Sequence, residues 1–250
     1  MDRAKETQQE AAEGPGPFPL PAGKETLFGR LREACRQDWE DYLHHPFVQR
    51  LGEGTLEPDS FTHYLKQDFL FLKHFARAWA LAVYKSDTLE EMQFASAGLK
   101  FMIEEPTLHI NYCAKWGITK SAMEQEPEAT HNLAYTRYVL EKGHSGDLLD
   151  LYAALAPCVL GYTEIGLILK KKYAERLEAN GGEEQAHPYK DWIETYADAT
   201  FALSMIQHLD QVATARGGFT PERWRSLTAT FRQATRLEVG FWQMGLARSF

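Results

Sequence analysis

Apolar residues recur along this chain at spacings of three and four, the period of helices that bury one face. From Lys24 to His44 they fall at Leu27, Phe28, Leu31, Ala34, Cys35, Trp39, Tyr42 and Leu43, which predicts an amphipathic helix stopped by Pro46. After a loop, Pro58 at a first helical position opens a second helix to Lys85, with Phe61, Tyr64, Leu65, Asp68, Leu72, Phe75, Trp79 and Ala82 on one broad face. A third is predicted from Thr88 to Trp116, kinked or broken at Pro106. A fourth runs from about Pro127 to Lys142, with Leu133, Tyr135 and Val139 as its apolar positions. A fifth spans Asp150 to about Ala179, and Pro188 restarts a sixth that carries Tyr189, Trp192, Ile193, Tyr196, Phe201 and Ile206. Thr220-Pro221-Glu222 opens a last helix to about Ala247. No segment alternates with period two. The expected fold class is therefore all-α: a single-domain helical bundle of about seven helices. Residues 1–23, which end in GPGPFPLPAG, are expected to form a disordered or loosely docked tail ahead of a helical domain over 24–250.

The bundle is expected to close around DLYAALAPCVLGYTEIGLI, Asp150 to Ile168, which reads as a buried helix. Cys158 and Tyr162 lie four residues apart and point the same way, with Leu155 on the same stripe. Pro157 deletes a backbone hydrogen bond inside that helix, at a cost of about 3 kcal/mol. Cysteine is also among the most buried residue types, and this stretch alone favours a structural role over a catalytic one. Asp68 is the odd member of an aromatic stripe: it either sits at a solvated edge or lies inside, where a carboxylate needs a donor.

Charge and cysteine usage narrow the partners. The net charge of −8, with no lysine and arginine run, argues against nucleic acid. Cys35, Cys113 and Cys158 are odd in number, widely spaced and without CxxC, so neither a disulfide framework nor a structural zinc site is expected. The N-terminus lacks the apolar run of a secretory signal, and no apolar stretch reaches the roughly 20 residues of a membrane span. The reading is a cytoplasmic protein with no membrane partner. Glu105 and His109 have the spacing of two metal ligands on one helix face, but a single such pair is more often a hydrogen bond. Glu141 and His144 fall where Gly143 and Gly146 predict a capping turn, so no two-metal site is expected.

Five motifs in order carry a resemblance: HPFVQ from His45, YLKQDFLFLKHFARA from Tyr64, APCVLGYTEIG from Ala156, PYKDWIETYA from Pro188 and LEVGFWQMG from Leu237. Together, over roughly Lys24 to Met244, they resemble the TenA family, the thiaminase II group, whose members adopt the heme-oxygenase-like bundle. The resemblance implies hydrolysis of an aminomethyl pyrimidine, a breakdown product of thiamin, to the hydroxymethyl pyrimidine and ammonia, with thiamin itself a second small-molecule substrate. It implies no cofactor, no metal and a homo-oligomer, a tetramer or a dimer. Residue by residue, Cys158 matches the family's nucleophile and Glu238 the acid that pairs with the pyrimidine ring nitrogen. Asp68 matches the aspartate on the exocyclic amino group, and Tyr135, Tyr162 and Tyr196 match aromatics around the ring. Phe71 stands where many relatives carry tyrosine, and it is expected to stack on the pyrimidine without that hydroxyl. Pro106, the stretch from Asn180 to His187 and the proline-rich tail also depart from the pattern. Two other readings stay open at this point: a non-catalytic pyrimidine-binding or regulatory module, and a metal-dependent oxidase of the same fold.

Overall fold

The computed structural model describes residues 18–181 and 186–250, and the side chains of residues 105–109 and 111–112 lie outside that description. Among the described residues, the regular structure is helical throughout, in eleven elements. They are α1 (Leu27–Ala34), α2 (Arg36–Leu43), α3 (Pro46–Glu53), α4 (Pro58–Lys85), α5 (Leu89–Lys115), α6 (Lys120–Gln125), α7 (Thr130–Ser145), α8 (Leu148–Ala179), α9 (Lys190–Tyr196), α10 (Thr200–Ala215) and α11 (Pro221–Ala247). The long elements follow the apolar periodicity, and the extra ones come from local breaks.

The first predicted helix is two, because Cys35 leaves the helical region at φ −117°, ψ 24°. Its apolar stripe nevertheless stays inside on both sides of the break, from Leu27 to Leu43, except for the exposed Ala34 at the end of α1. Pro46 starts α3 instead of only stopping what precedes it: its missing N–H costs nothing at a first turn, and His45 Nδ1 accepts from the Phe47 N–H at 3.2 Å. Residues 197–199 divide the predicted sixth helix into α9 and α10. In α7 the helix runs past Gly143, which lies inside against Leu81 and Leu151 where a Cβ would meet Leu81 at 2.6 Å. Glu141 and His144 are therefore helical residues, and of the apolar positions Leu133 is exposed while Tyr135 and Val139 are buried. α5 continues through position 106, while the side chains of Pro106, Glu105 and His109 fall outside the described residues.

α8 is the centre of the bundle, packed against α7, α9, α10 and α11 with α4 close by. Asp147 caps it, accepting from the Leu149 and Asp150 N–H groups in a capping box, and the helix runs through Pro157 without interruption. It is long and apolar enough to cross a membrane, but 78% of its most apolar window is buried by neighbouring helices. Its C-terminal part, from Lys170 to Ala179, emerges as a charged and largely exposed tail of the helix.

Inside this core Glu164 is fully buried and ion-paired with Arg32, and its Oε2 accepts from Trp39 Nε1 at 2.8 Å. Arg32 also donates to the Ala22 carbonyl at 2.7 Å and the Leu20 carbonyl at 3.4 Å, which holds residues 18–22 onto the bundle. Burial dominates both groups: it pushes Glu164 up to about 7 and Arg32 down, against their mutual attraction. Replacing Arg32 by methionine leaves a buried carboxyl unpaired and is expected to lower the unfolding free energy by about 3–5 kcal/mol, read by urea denaturation. A loss below about 1 kcal/mol in that titration would show that the pair contributes only as an exposed one does.

Candidate active site

A cavity of about 630 Å³ opens between α4, α5, α8, α9 and α10. Its wall carries Asp68 and Phe71 from α4, Cys158 and Tyr162 from α8, and Trp192 and Tyr196 from α9. The spacings explain the convergence, since 68 with 71 and 158 with 162 are neighbours one turn apart on single helix faces. Phe201, Phe101 and Met102 make its other side apolar. The volume falls within the roughly 300–1,000 Å³ of small-molecule sites, and a few polar groups in an apolar cleft is their usual composition.

Glu238 on α11 lies behind Cys158 and is 1% exposed. Its Oε1 accepts from the Tyr135 hydroxyl at 2.7 Å, and the Cys158 thiol hydrogen-bonds the same carboxyl. Burial pushes the Glu238 pKa up to about 8 while those two hydrogen bonds pull it back. The result is a carboxylic acid that holds its proton near neutral pH, in direct contact with a thiol that faces the cavity.

Asp68 is inside, at 4% exposure, and its donor is Tyr64, one turn earlier, whose hydroxyl reaches Asp68 Oδ2 at 3.4 Å. Trp192 Nε1 donates to the Tyr64 oxygen at 3.3 Å, so a chain runs from α9 through α4 to the carboxyl group. Neighbouring Gln67 fixes this part of α4: its Nε2 donates to the Pro127 carbonyl at 2.8 Å and its Oε1 accepts from the Ala129 N–H at 3.0 Å, at the start of α7. Phe71 packs on Phe75, Tyr135 and Phe241 with ring centroids 5.0, 5.1 and 5.5 Å away. Tyr162 packs on Tyr196 at 5.0 Å and on Trp242 at 5.1 Å.

The seven residues singled out in the sequence thus come together: five line the cavity, and Tyr135 and Glu238 stand directly behind its cysteine. Tyr64, Gln67 and Trp192 were not singled out. Tyr64 and Asp68 at i, i+4 is the one spacing that signals a donor for the buried carboxyl, whereas Trp192 reaches it only through the tertiary fold. Among the described residues no group of three or more histidine, cysteine or acidic side chains is placed to hold a metal ion.

Comparison with known proteins follows the same lines. Residues 32–248 match the TENA/THI-4/PQQC family. The chain is 37% identical over 219 residues to the aminopyrimidine aminohydrolase of Halalkalibacterium halodurans, covering 86% of this chain and 92% of that one. A crystal structure described as a TenA family transcription regulator, from a Silicibacter species, superposes with a TM-score of 0.79 at 46% identity, over 88% of this chain and 96% of that one. A Shewanella denitrificans domain with a heme oxygenase-like fold superposes at 0.65 with 14% identity, over 88% of this chain and 92% of that one, a likeness of fold alone. The motifs, the bundle and the match over residues 32–248 agree: the chain belongs to the TENA/THI-4/PQQC family.

Proposed function

We propose that this protein hydrolyses 4-amino-5-aminomethyl-2-methylpyrimidine to the 5-hydroxymethyl compound and ammonia, as a thiaminase II-like enzyme of thiamin salvage, by covalent catalysis through Cys158. The observation that carries the reading is the buried acid Glu238, its proton held to about 8, in contact with the Cys158 thiol at the wall of an apolar cavity. The name of the Halalkalibacterium relative supports the substrate class.

The chemistry balances through that contact. Glu238 gives its proton to a pyrimidine ring nitrogen, and the carboxylate so formed takes the Cys158 proton as the thiol attacks. The sulfur then bonds to the adjacent ring carbon, which the protonated ring makes electrophilic. The electron pair placed in the ring expels the exocyclic ammonium as ammonia, breaking its bond to the methylene. Water adds to that methylene and gives up a proton, which the departed ammonia carries off as ammonium; the carbon–sulfur bond breaks, the ring nitrogen's proton returns to Glu238 and the proton held there returns to the Cys158 sulfur. Asp68 accepts from the ring's exocyclic amino group and fixes the distance to the sulfur, while Phe71, Tyr162 and Tyr196 enclose the ring and exclude water. Tyr135 orients Glu238. Thiamin, with a larger leaving group on the same methylene, is the second substrate in this reading.

The helical domain over residues 24–250 acts in this proposal as one catalytic unit within a dimer or tetramer, a reading supported by the exposed apolar side chains of Tyr84, Leu89 and Ile103. Purified protein is expected to release ammonia from the aminopyrimidine in stoichiometry with the hydroxymethyl product. Binding without turnover, read by calorimetry, would instead leave a pyrimidine-binding module.

A further inference from the structure

Tyr42, on α2, is fully buried, and its hydroxyl has no hydrogen-bond partner among the described residues. Its ring stands edge-on to Trp39 at 5.6 Å and stacks on Trp242 at 6.2 Å and 21°. It is admitted by Gly161, where a Cβ would lie 2.1 Å from Tyr42 Cε1 and 2.9 Å from its hydroxyl oxygen. Gly161 follows Cys158 by three residues, and Trp242 follows Glu238 by four. The tyrosine is therefore wedged between the helical turn that carries the thiol and the one that carries the acid. Burial pushes its hydroxyl well above the usual phenol range, and next to burial the Glu238 carboxyl raises it, ahead of Cys158, Tyr64 and Asp68.

A buried hydroxyl with nothing to bond is costlier than the phenyl ring alone. Its presence makes sense if a partner arises in another state of the site. Tyr135 from α7 and Cys158 from α8 hydrogen-bond Glu238, its charge also acts on Tyr162 from α8 and Tyr42 from α2, and Asp68 and Tyr64 from α4 act on those same two tyrosines. Tyr135 is already committed to Oε1, and Tyr64 to Asp68. We propose that Tyr42 is a positioning residue for Glu238: its O–H turns onto the carboxylate that forms when the acid gives its proton to the substrate ring. This rests on the reading of Glu238 as the acid. The bond that breaks is the Glu238 O–H, the bond that forms is the ring N–H, and the Tyr42 proton stays on its oxygen.

Tyr42→Phe removes the hydroxyl and keeps the ring. It is expected to fold with a Tm equal to or above wild type, because the folded resting state gives the hydroxyl no partner. Its kcat for ammonia release falls about tenfold, the effect of losing one hydrogen bond to a charged group, with KM little changed because Tyr42 does not line the cavity. The alkaline limb of its pH profile moves upward, since a carboxylate with one donor fewer holds its proton more tightly. A loss carried by KM, or a profile that does not move, overturns the proposal. The Glu238 carboxyl band, assigned by its absence in Glu238→Gln and titrated by infrared spectroscopy, reads the same quantity without turnover. Its midpoint should be higher in Tyr42→Phe than in wild type. It should also be higher in Gly161→Ala, whose methyl overlaps the Tyr42 ring and displaces the hydroxyl from the other side. Equal midpoints overturn the proposal whether or not the enzyme is active, whereas raised midpoints in an inert wild type would leave the role of Tyr42 standing and remove only the proposed reaction.

Discussion

Replacing Cys158 by alanine is expected to lower ammonia release from the aminopyrimidine by on the order of 10⁴-fold or more, while the protein stays folded. The loss is large because, in the proposed reaction, the thiol is both the atom that bonds to the ring and the donor that passes its proton to Glu238. Folding is spared because the side chain is small and only half-buried at the cavity wall, so its loss leaves no closed void in the core. The measurement pairs steady-state ammonia release with a thermal melt of the same preparation. Activity within tenfold of wild type in a folded Cys158→Ala protein would end the covalent mechanism. A variant that fails to fold would instead place the cysteine among the packing residues.

Glu238→Gln is expected to cost about 10²–10⁴-fold in kcat, the range for loss of a general acid, and to change stability in the opposite direction. Burial pushes Glu238 up to about 8 from its ordinary 4.5, so above pH 4.5 the folded chain holds a proton that the unfolded chain releases. Stability from this group is complete below pH 4.5 and is lost as pH rises through about 8. Glutamine keeps the shape and carries no such dependence. The variant should therefore gain on wild type across that window, by up to about 5 kcal/mol above pH 8. Urea titrations of both proteins at pH 5, 7 and 9 check this, with the midpoint difference growing as pH rises. A constant difference would mean that Glu238 does not carry its proton in the folded state. A gain in stability with a loss in activity marks a residue retained for chemistry at the expense of the fold.

Much of this was legible in the chain. The period of α4 placed Asp68 among aromatics, and the structure puts it inside with Tyr64 as the donor such a position requires. Cys158 and Tyr162 share a face as their spacing demands, and both line the cavity. The unread parts have local or tertiary causes. Cys35 is compatible with helix, and only its backbone angles show that α1 ends there. Pro46 is ambiguous by nature, since proline both stops one helix and opens another. The Glu238 contacts join α7, α8 and α11, and no spacing along one helix reports them. Tyr42 read as an ordinary apolar-face residue because its unpartnered hydroxyl is visible only once its neighbours are in place.

The overlap between Tyr42 and the space beside Gly161 makes these two positions share a single volume. A side chain at 161 and a ring at 42 exclude each other while α2 and α8 stay where they are. A residue larger than glycine at 161 therefore calls for a smaller side chain at 42, or for α2 and α8 to move apart.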